Sequence, residues 1–198
     1  STSATDARLV EVALTGSQLE RARAWLGDGR PAAPPRPAAT VMLVRDGDAG
    51  PEVFVQRRVA SMAFAASMHV FPGGAVDDDD AHLPLGTPGL AGLAAALGVT
   101  PAAAAPRAAA AVREVEEECG VRVAVADLRA RAHWVTPEFE PRRFDTWVLA
   151  ARMPPGQVAH GASGESDASE RVRPADLLRR WSAGEARMLP PTVVALEE

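Results

Sequence analysis

The nine residues Arg113 to Val121 read R-E-V-E-E-E-C-G-V. On an α-helix, residues three and four apart are neighbours, so Glu114, Glu117 and Glu118 converge on one patch while Glu116 points elsewhere. Like charges at that spacing repel, by about 0.2–0.5 kcal/mol per pair in an isolated helix. A divalent cation reverses the sign of that term, and oxygen ligands favour a hard ion such as Mg²⁺ or Mn²⁺. Read alone, such a charge run is more often a solvated acidic helix end.

The rest of the chain narrows the choice. Its 198 residues suit one domain with a small appendage. Hydrophobic residues make up 47% and charged residues 24%, ordinary globular usage. A net charge of -5 gives no basic footprint for nucleic acid, and it calls for a cation if the ligand is a phosphate ester. Cys119 is the single cysteine, which excludes an intrachain disulfide and fits a reducing compartment. The opening S-T-S-A-T-D-A-R lacks the apolar core of a signal peptide, and no run of about 18 apolar residues is present. The expectation is a soluble, cytoplasmic protein with neither nucleic-acid nor membrane partners.

Outward from the acidic run, Thr100-Pro101 reads as an N-cap with proline at the first helical position, and Gly120 as the C-cap. A helix is therefore expected over about Pro101–Cys119, with Pro106 able to split it. A shorter helix, Leu90 to Leu97, precedes it. Ala38 to Arg45 reads as a buried strand, and E-V-F-V-Q-R-R, reached through D-G-D-A-G-P, as its hairpin partner. In V-F-P-G-G, Pro72 fixes a turn and Gly73 with Gly74 admits a close backbone approach. Beyond the helix, V-R-V-A-V-A-D-L from Val121 alternates as a strand, and R-F-D-T-W-V-L-A-A-R is another. Pro154 to Ser169 reads as loop, Pro174 to Trp181 as helix. At the N-terminal side, Ser17 to Leu26 suits a short helix, and P-A-A-P-P-R-P from Pro31 ends it as a linker.

Together the glycine turn and the acidic helix resemble a Nudix box, G-x5-E-x7-R-E-U-x-E-E-x-G-U with U a bulky aliphatic residue. Arg113, Glu114, Val115, Glu117, Glu118, Gly120 and Val121 match its second half. With Gly74 as the opening glycine, the glutamate of the first half falls on Asp80, one methylene shorter. Between Asp80 and Arg113 lie 32 residues where the pattern has seven, an insertion of 25. Loop-closure cost grows only logarithmically, so such an excursion leaves the domain intact. An interrupted box is similar to the mammalian Nudix 19 subfamily and its bacterial relatives, which resemble coenzyme A diphosphatases. The segments Gln56 to Gly74, Trp134 to Trp147 and M-L-P-P-T extend that likeness.

The resemblance implies an α/β fold, a Nudix-type α/β/α sandwich with a mixed sheet and a helical insertion between the glycine turn and the box helix. It divides the chain into an N-terminal extension with a Pro-rich linker, 1–37, and a Nudix hydrolase domain, 38–198, with the insertion at about 81–105. Carried over residue by residue, Glu114, Glu117 and Glu118 are the Mg²⁺ (or Mn²⁺) ligands, with the Gly73 or Gly74 carbonyl as a further one. Arg113 would hold a box carboxylate. The general base is Glu117, Glu118, or a glutamate of a later loop, for which Glu165 and Glu170 are the positional candidates. Arg57, Arg58, Arg142 and Arg143 are the cations for a 3'-phosphate. Met62, Phe64 and Met68 suit an acyl channel or simple core filling.

The reaction implied is Mg²⁺-dependent hydrolysis of a diphosphate linkage, in coenzyme A or acyl-CoA, giving 3',5'-ADP and a phosphopantetheine. Two other readings stay open: a Nudix hydrolase of ADP-ribose, NADH or a (deoxy)nucleotide, and a Nudix-fold binding module without hydrolysis. Dimerisation, common among Nudix proteins, is left open.

Overall fold

A computed structural model describes residues 15–59, 67–161 and 166–197. Seven strands form one mixed sheet: β1 (Arg36–Gly47), β2 (Gly50–Arg58), β3 (His69–Val70), β4 (Gly73–Ala75), β5 (Arg129–Val135), β6 (Phe144–Arg152) and β7 (Ser166–Val172). The central order is β3-β2-β1-β6-β5, with β4 added to β1 and β7 to β2. β1 runs parallel to β6 and antiparallel to β2 and β4. The helices are α1 (Gly16–Asp28), α2 (Leu90–Ala96), α3 (Pro101–Cys119), α4 (Pro174–Ser182) and α5 (Pro190–Glu197).

Strand alternation divides the core into two layers. Ala39, Val41 and Leu43 of β1, Phe54 of β2, and Trp147, Leu149 and Ala151 of β6 face α2 and α3. Met42, Val53, Val55, Val148 and Ala150 face Leu177 of α4 and Val193, Ala195 and Leu196 of α5. The alanine-rich face of α3, with Ala104, Ala105, Ala108 and Ala111 buried, lets the helix lie close on the sheet. Such an α/β/α sandwich is the fold class expected from the sequence.

α3 begins and ends as its sequence signals require. The Thr100 side chain accepts the Ala103 N–H, Pro101 opens the first turn, and Gly120 closes the helix at φ 67°. Pro106 does not split it. The hydrogen bond it forfeits is to the carbonyl of Ala102, an exposed residue of the first turn. Arg107 then pins the helix to the sheet, pairing with Asp145 and lying 4.6 Å over the Trp147 ring.

Other expectations need correction. Val121–Asp127 is not a strand: Val121, Val123 and Val125 are buried in the α3-side core without ladder partners, and Val125–Asp127 closes as a 3-10 turn. The pairing strand is β5, which follows it. Ser166–Ser169, read as loop, belongs to β7 and pairs antiparallel with β2. β1 starts at Arg36, inside the stretch read as linker. Before it, α1 docks on the β5–β6 turn through a two-bond Arg21–Glu140 pair at 2.8 and 3.1 Å. No helix among the described residues is long and apolar enough to cross a membrane.

Candidate active site

The glycine turn is built against β1. Thr40 Oγ1 donates to the Phe71 and Pro72 carbonyls, at 3.1 and 2.9 Å, and holds the turn in place. Gly73 and Gly74 then pair with Thr40 and Ala39. Gly73 has φ 153°, and a Cβ there would collide with the Ala39 carbonyl and Thr40. A Cβ at Gly74 would collide with the Glu114 carboxylate. Gly73 thus lets the turn pack directly on β1, and Gly74 leaves the space that the Glu114 carboxylate of α3 occupies.

Around the turn, Arg113 is the hub. Its Nε and Nη2 donate to the two oxygens of Asp80 at 3.1 and 2.9 Å, and Nη2 also reaches the Ala75 carbonyl at 3.2 Å. Its Nη1 donates to Glu114 at 2.9 Å and to Glu117 at 3.1 Å, while Asp77 stands 3.6 Å away. Asp80 first, and then Glu114, hold its pKa far above the ordinary arginine value against the opposing effect of burial. The aspartate one methylene short of the motif thus reaches the guanidinium in a two-bond fork. It does so because the 3-10 turn Asp78–His82 carries it in, with Asp80 itself accepting the Asp77 N–H at 2.8 Å. The 25-residue excursion leaves from this turn and returns through α2 without disturbing the fork.

The three glutamates sit in different surroundings. Glu117 is 59% exposed along its side chain, and Glu114 15%. Burial pushes the Glu114 pKa up; the Arg113 hydrogen bond and charge oppose this, and the negative charges of Glu117 and Asp77 add to the rise. Glu118 is buried, and its Oε2 accepts from the Gly73 N–H at 3.0 Å and from Gln56 Nε2 at 3.3 Å. Gln56, on the α3-facing side of β2, is only 3% exposed. Reading the sequence by motif passes over it, although a glutamine two residues beyond Phe54 on a buried strand face is itself a signal.

Arranged in this way, no group of three or more His, Cys, Asp or Glu among the described residues is gathered to hold a metal ion. Arg113 spans Glu114 and Glu117, while Glu118 turns to the glycine turn. The donor chemistry nonetheless fits a hard divalent cation. The residues that could hold it are carboxylates, and the half-buried Glu114 carries a charge that burial, with Glu117 and Asp77, disfavours and a cation would relieve.

The remaining predicted residues are scattered. Arg57 pairs with Asp167 at 2.8 Å on the sheet face opposite α3, by the alternation that puts Gln56 on the α3 side. Arg58, half-buried, ends β2, its N–H bonded to the Met68 carbonyl. Arg142 is exposed on the β5–β6 turn. Arg143 donates to the Thr136 and Ala33 carbonyls at 3.0 and 2.7 Å, fastening the segment before β1. Both Glu170 oxygens accept from Arg180 Nη1 at 2.9 Å, and Glu170 stands 3.5 Å from the buried His69. Glu165, Met62 and Phe64 lie outside the described residues. Cys119 is a packed thiol, its pKa pushed up to about 12 by burial and by the neighbouring Glu118.

Comparison with known proteins bears on the family and the fold. A NUDIX domain model matches residues 98–191. No curated protein matches the chain. Among solved structures, a NUDIX hydrolase from Alicyclobacillus acidocaldarius is similar at 26% identity, covering 83% of this chain and 90% of that one, with a TM-score of 0.65. A MutT NUDIX hydrolase from Burkholderia pseudomallei, 18% identical, covers 83% of this chain and 98% of its own at a TM-score of 0.57. The NUDIX domain of Shewanella oneidensis NrtR, complexed with ADP ribose, is 14% identical, covering 79% and 86% at a TM-score of 0.52. The latter two show the fold alone. The matches support the Nudix superfamily and, with it, a hydrolase acting on phosphorus-containing anhydrides.

Proposed function

We propose, with the Nudix fold and hydrolase class as premise, that this protein cleaves the diphosphate of coenzyme A or acyl-CoA, releasing 3',5'-ADP and a phosphopantetheine. The observation that carries diphosphate hydrolysis is the Arg113 hub, one guanidinium among Asp77, Asp80, Glu114 and Glu117, set against a glycine turn with no room for a side chain. The coenzyme A assignment rests on the long insertion between Asp80 and Arg113 and on the flanking segments that resemble coenzyme A diphosphatases.

Glu114, Glu117 and Glu118 would hold Mg²⁺ or Mn²⁺, with the Gly73 or Gly74 carbonyl beside them. When bound, the ion neutralises the diphosphate, stabilises charge on its non-bridging oxygens and lowers the pKa of the attacking water. The protein's own share is placement. Asp80 fixes Arg113, Arg113 holds Glu114 and Glu117 in register on α3, and the glycine turn lets a phosphate approach the backbone closely. Glu117 or Glu118 accepts the proton of the water. Arg142, exposed on its turn, is the arginine we assign to the 3'-phosphate; Arg57 and Arg143 serve Asp167 and backbone carbonyls instead.

A second reading, hydrolysis of ADP-ribose, draws on the ADP ribose bound to the NrtR domain of the same fold. Incubation with CoA, NADH, ADP-ribose and nucleoside triphosphates plus Mg²⁺, followed by chromatography, separates the two. Release of 3',5'-ADP from CoA as the fastest reaction is expected; a clear preference for ADP-ribose would remove the CoA assignment and keep the rest.

A further inference from the structure

We infer that Gln56 is a positioning residue for Glu118, fixing that one carboxylate against the glycine turn before any cation arrives. The inference rests on the diphosphatase reading above and deepens it. Phe54 and Gln56 lie on the same face of β2, and Phe54 is part of the α3-side core. An amide there, 3% exposed, is costly unless its polar atoms are bonded. Its bonds go to α3: Nε2 donates to Glu118 Oε2 at 3.3 Å and to Cys119 Sγ at 3.5 Å. A carboxylate only accepts, so the amide must present its NH₂ group to Glu118, and the orientation is fixed by chemistry.

The second donor to the same oxygen is the Gly73 N–H at 3.0 Å. One side chain from β2 and one amide from the glycine turn thus grip a single atom of the box helix. The grip ties together the three elements that make the site: sheet, turn and helix. Glutamine suits the role better than a charged donor would. A lysine or arginine would compete with a cation for Glu118, whereas a neutral amide orients the carboxylate and leaves its charge available. The buried Cys119 thiol accepts from the same Nε2, so the amide nitrogen is shared between two neighbouring residues of α3.

Outer partners of metal-site ligands commonly matter by about 10–100-fold in metal affinity or activity. The test is a double-mutant cycle of Gln56→Leu and Glu118→Gln, read both as kcat for CoA cleavage and as Mn²⁺ affinity by electron paramagnetic resonance. Gln56→Leu is expected to lower kcat and Mn²⁺ affinity by about 10-fold or more with little change in KM, and to change neither in the Glu118→Gln background. Gln56→Met, closer in shape, gives the same reading if the leucine variant does not fold. Equal losses of kcat and affinity in both backgrounds, or no loss in the wild-type background, would overturn the inference. Unchanged turnover and Mn²⁺ affinity in Glu118→Gln alone would instead remove the diphosphatase reading beneath it.

Discussion

Two charged clusters lie on opposite faces of the same sheet, and their charge balance separates them. On the α4 side, Arg57 meets Asp167 and Arg180 meets Glu170, one cation to one anion. On the α3 side, a single guanidinium stands within 4 Å of four carboxylates, those of Asp77, Asp80, Glu114 and Glu117. The first cluster is complete as it stands. The second leaves negative charge that burial at Glu114 makes worse, and a cation from outside would relieve it. Charged residues in number do not mark a site; unmatched charge held in place by a rigid frame does.

The largest expected effect breaks the comparison at its centre. Glu117→Gln should lower Mg²⁺-dependent turnover by about 10²–10⁴-fold, the range for removing a positioned ligand or proton acceptor. Glu170→Gln, on the other face, should leave turnover unchanged. If both variants lost activity alike, the balanced cluster would also belong to the reaction, and the contrast between the faces would fail.

Stability offers the next contrast. Arg113→Ala strands Asp80, whose side chain is 4% exposed, beside Glu114, and should cost about 3 kcal/mol in urea unfolding. Arg57→Ala removes a partner from an exposed pair and should produce no measurable change. Equal losses from the two variants would mean that the hub around Arg113 is no more built than a surface pair.

A smaller effect concerns pH. Burial lowers the His69 pKa, with Arg180 and Arg57 adding to the fall and the Arg187 carbonyl and Glu170 opposing it. Its Nδ1 has no hydrogen-bond partner. Because the folded value lies below the unfolded one, near about 6.5, protonation favours the unfolded chain. The contribution is whole above that pH and is lost as pH falls through it toward the folded value. Stability measured at pH 7.5 and 5 should therefore drop more for the wild type than for His69→Phe. An equal drop would show that the buried histidine is not what makes this face acid-sensitive.

How much of this was legible in the sequence follows from which forces are local. The box helix was, because Thr100, Pro101 and Gly120 act within one turn of their own positions. The glycine turn was legible too, since only a close approach explains Gly73-Gly74 before an acidic helix. Val121–Asp127 was not: alternation reports burial of one side, and Val121, Val123 and Val125 bury that side without any strand to pair with. Ser166–Ser169 was hidden by the opposite effect, a polar composition that still supplies backbone to the edge of β2. Asp80 was legible as a candidate, but its reach depended on the 3-10 turn that carries it to Arg113. Gln56 became visible only when β2 and α3 were seen together, since its partners are 62 and 63 residues away.

The central claim is that the unmatched carboxylates on the α3 face hold a divalent cation. Mn²⁺ titration followed by electron paramagnetic resonance, on the wild type, Glu117→Gln and Glu170→Gln, tests it most directly. Saturable binding is predicted for the wild type and Glu170→Gln with the same affinity, weakened by about 10-fold or more in Glu117→Gln. Absence of binding in the wild type, or one affinity shared by all three proteins, would contradict it.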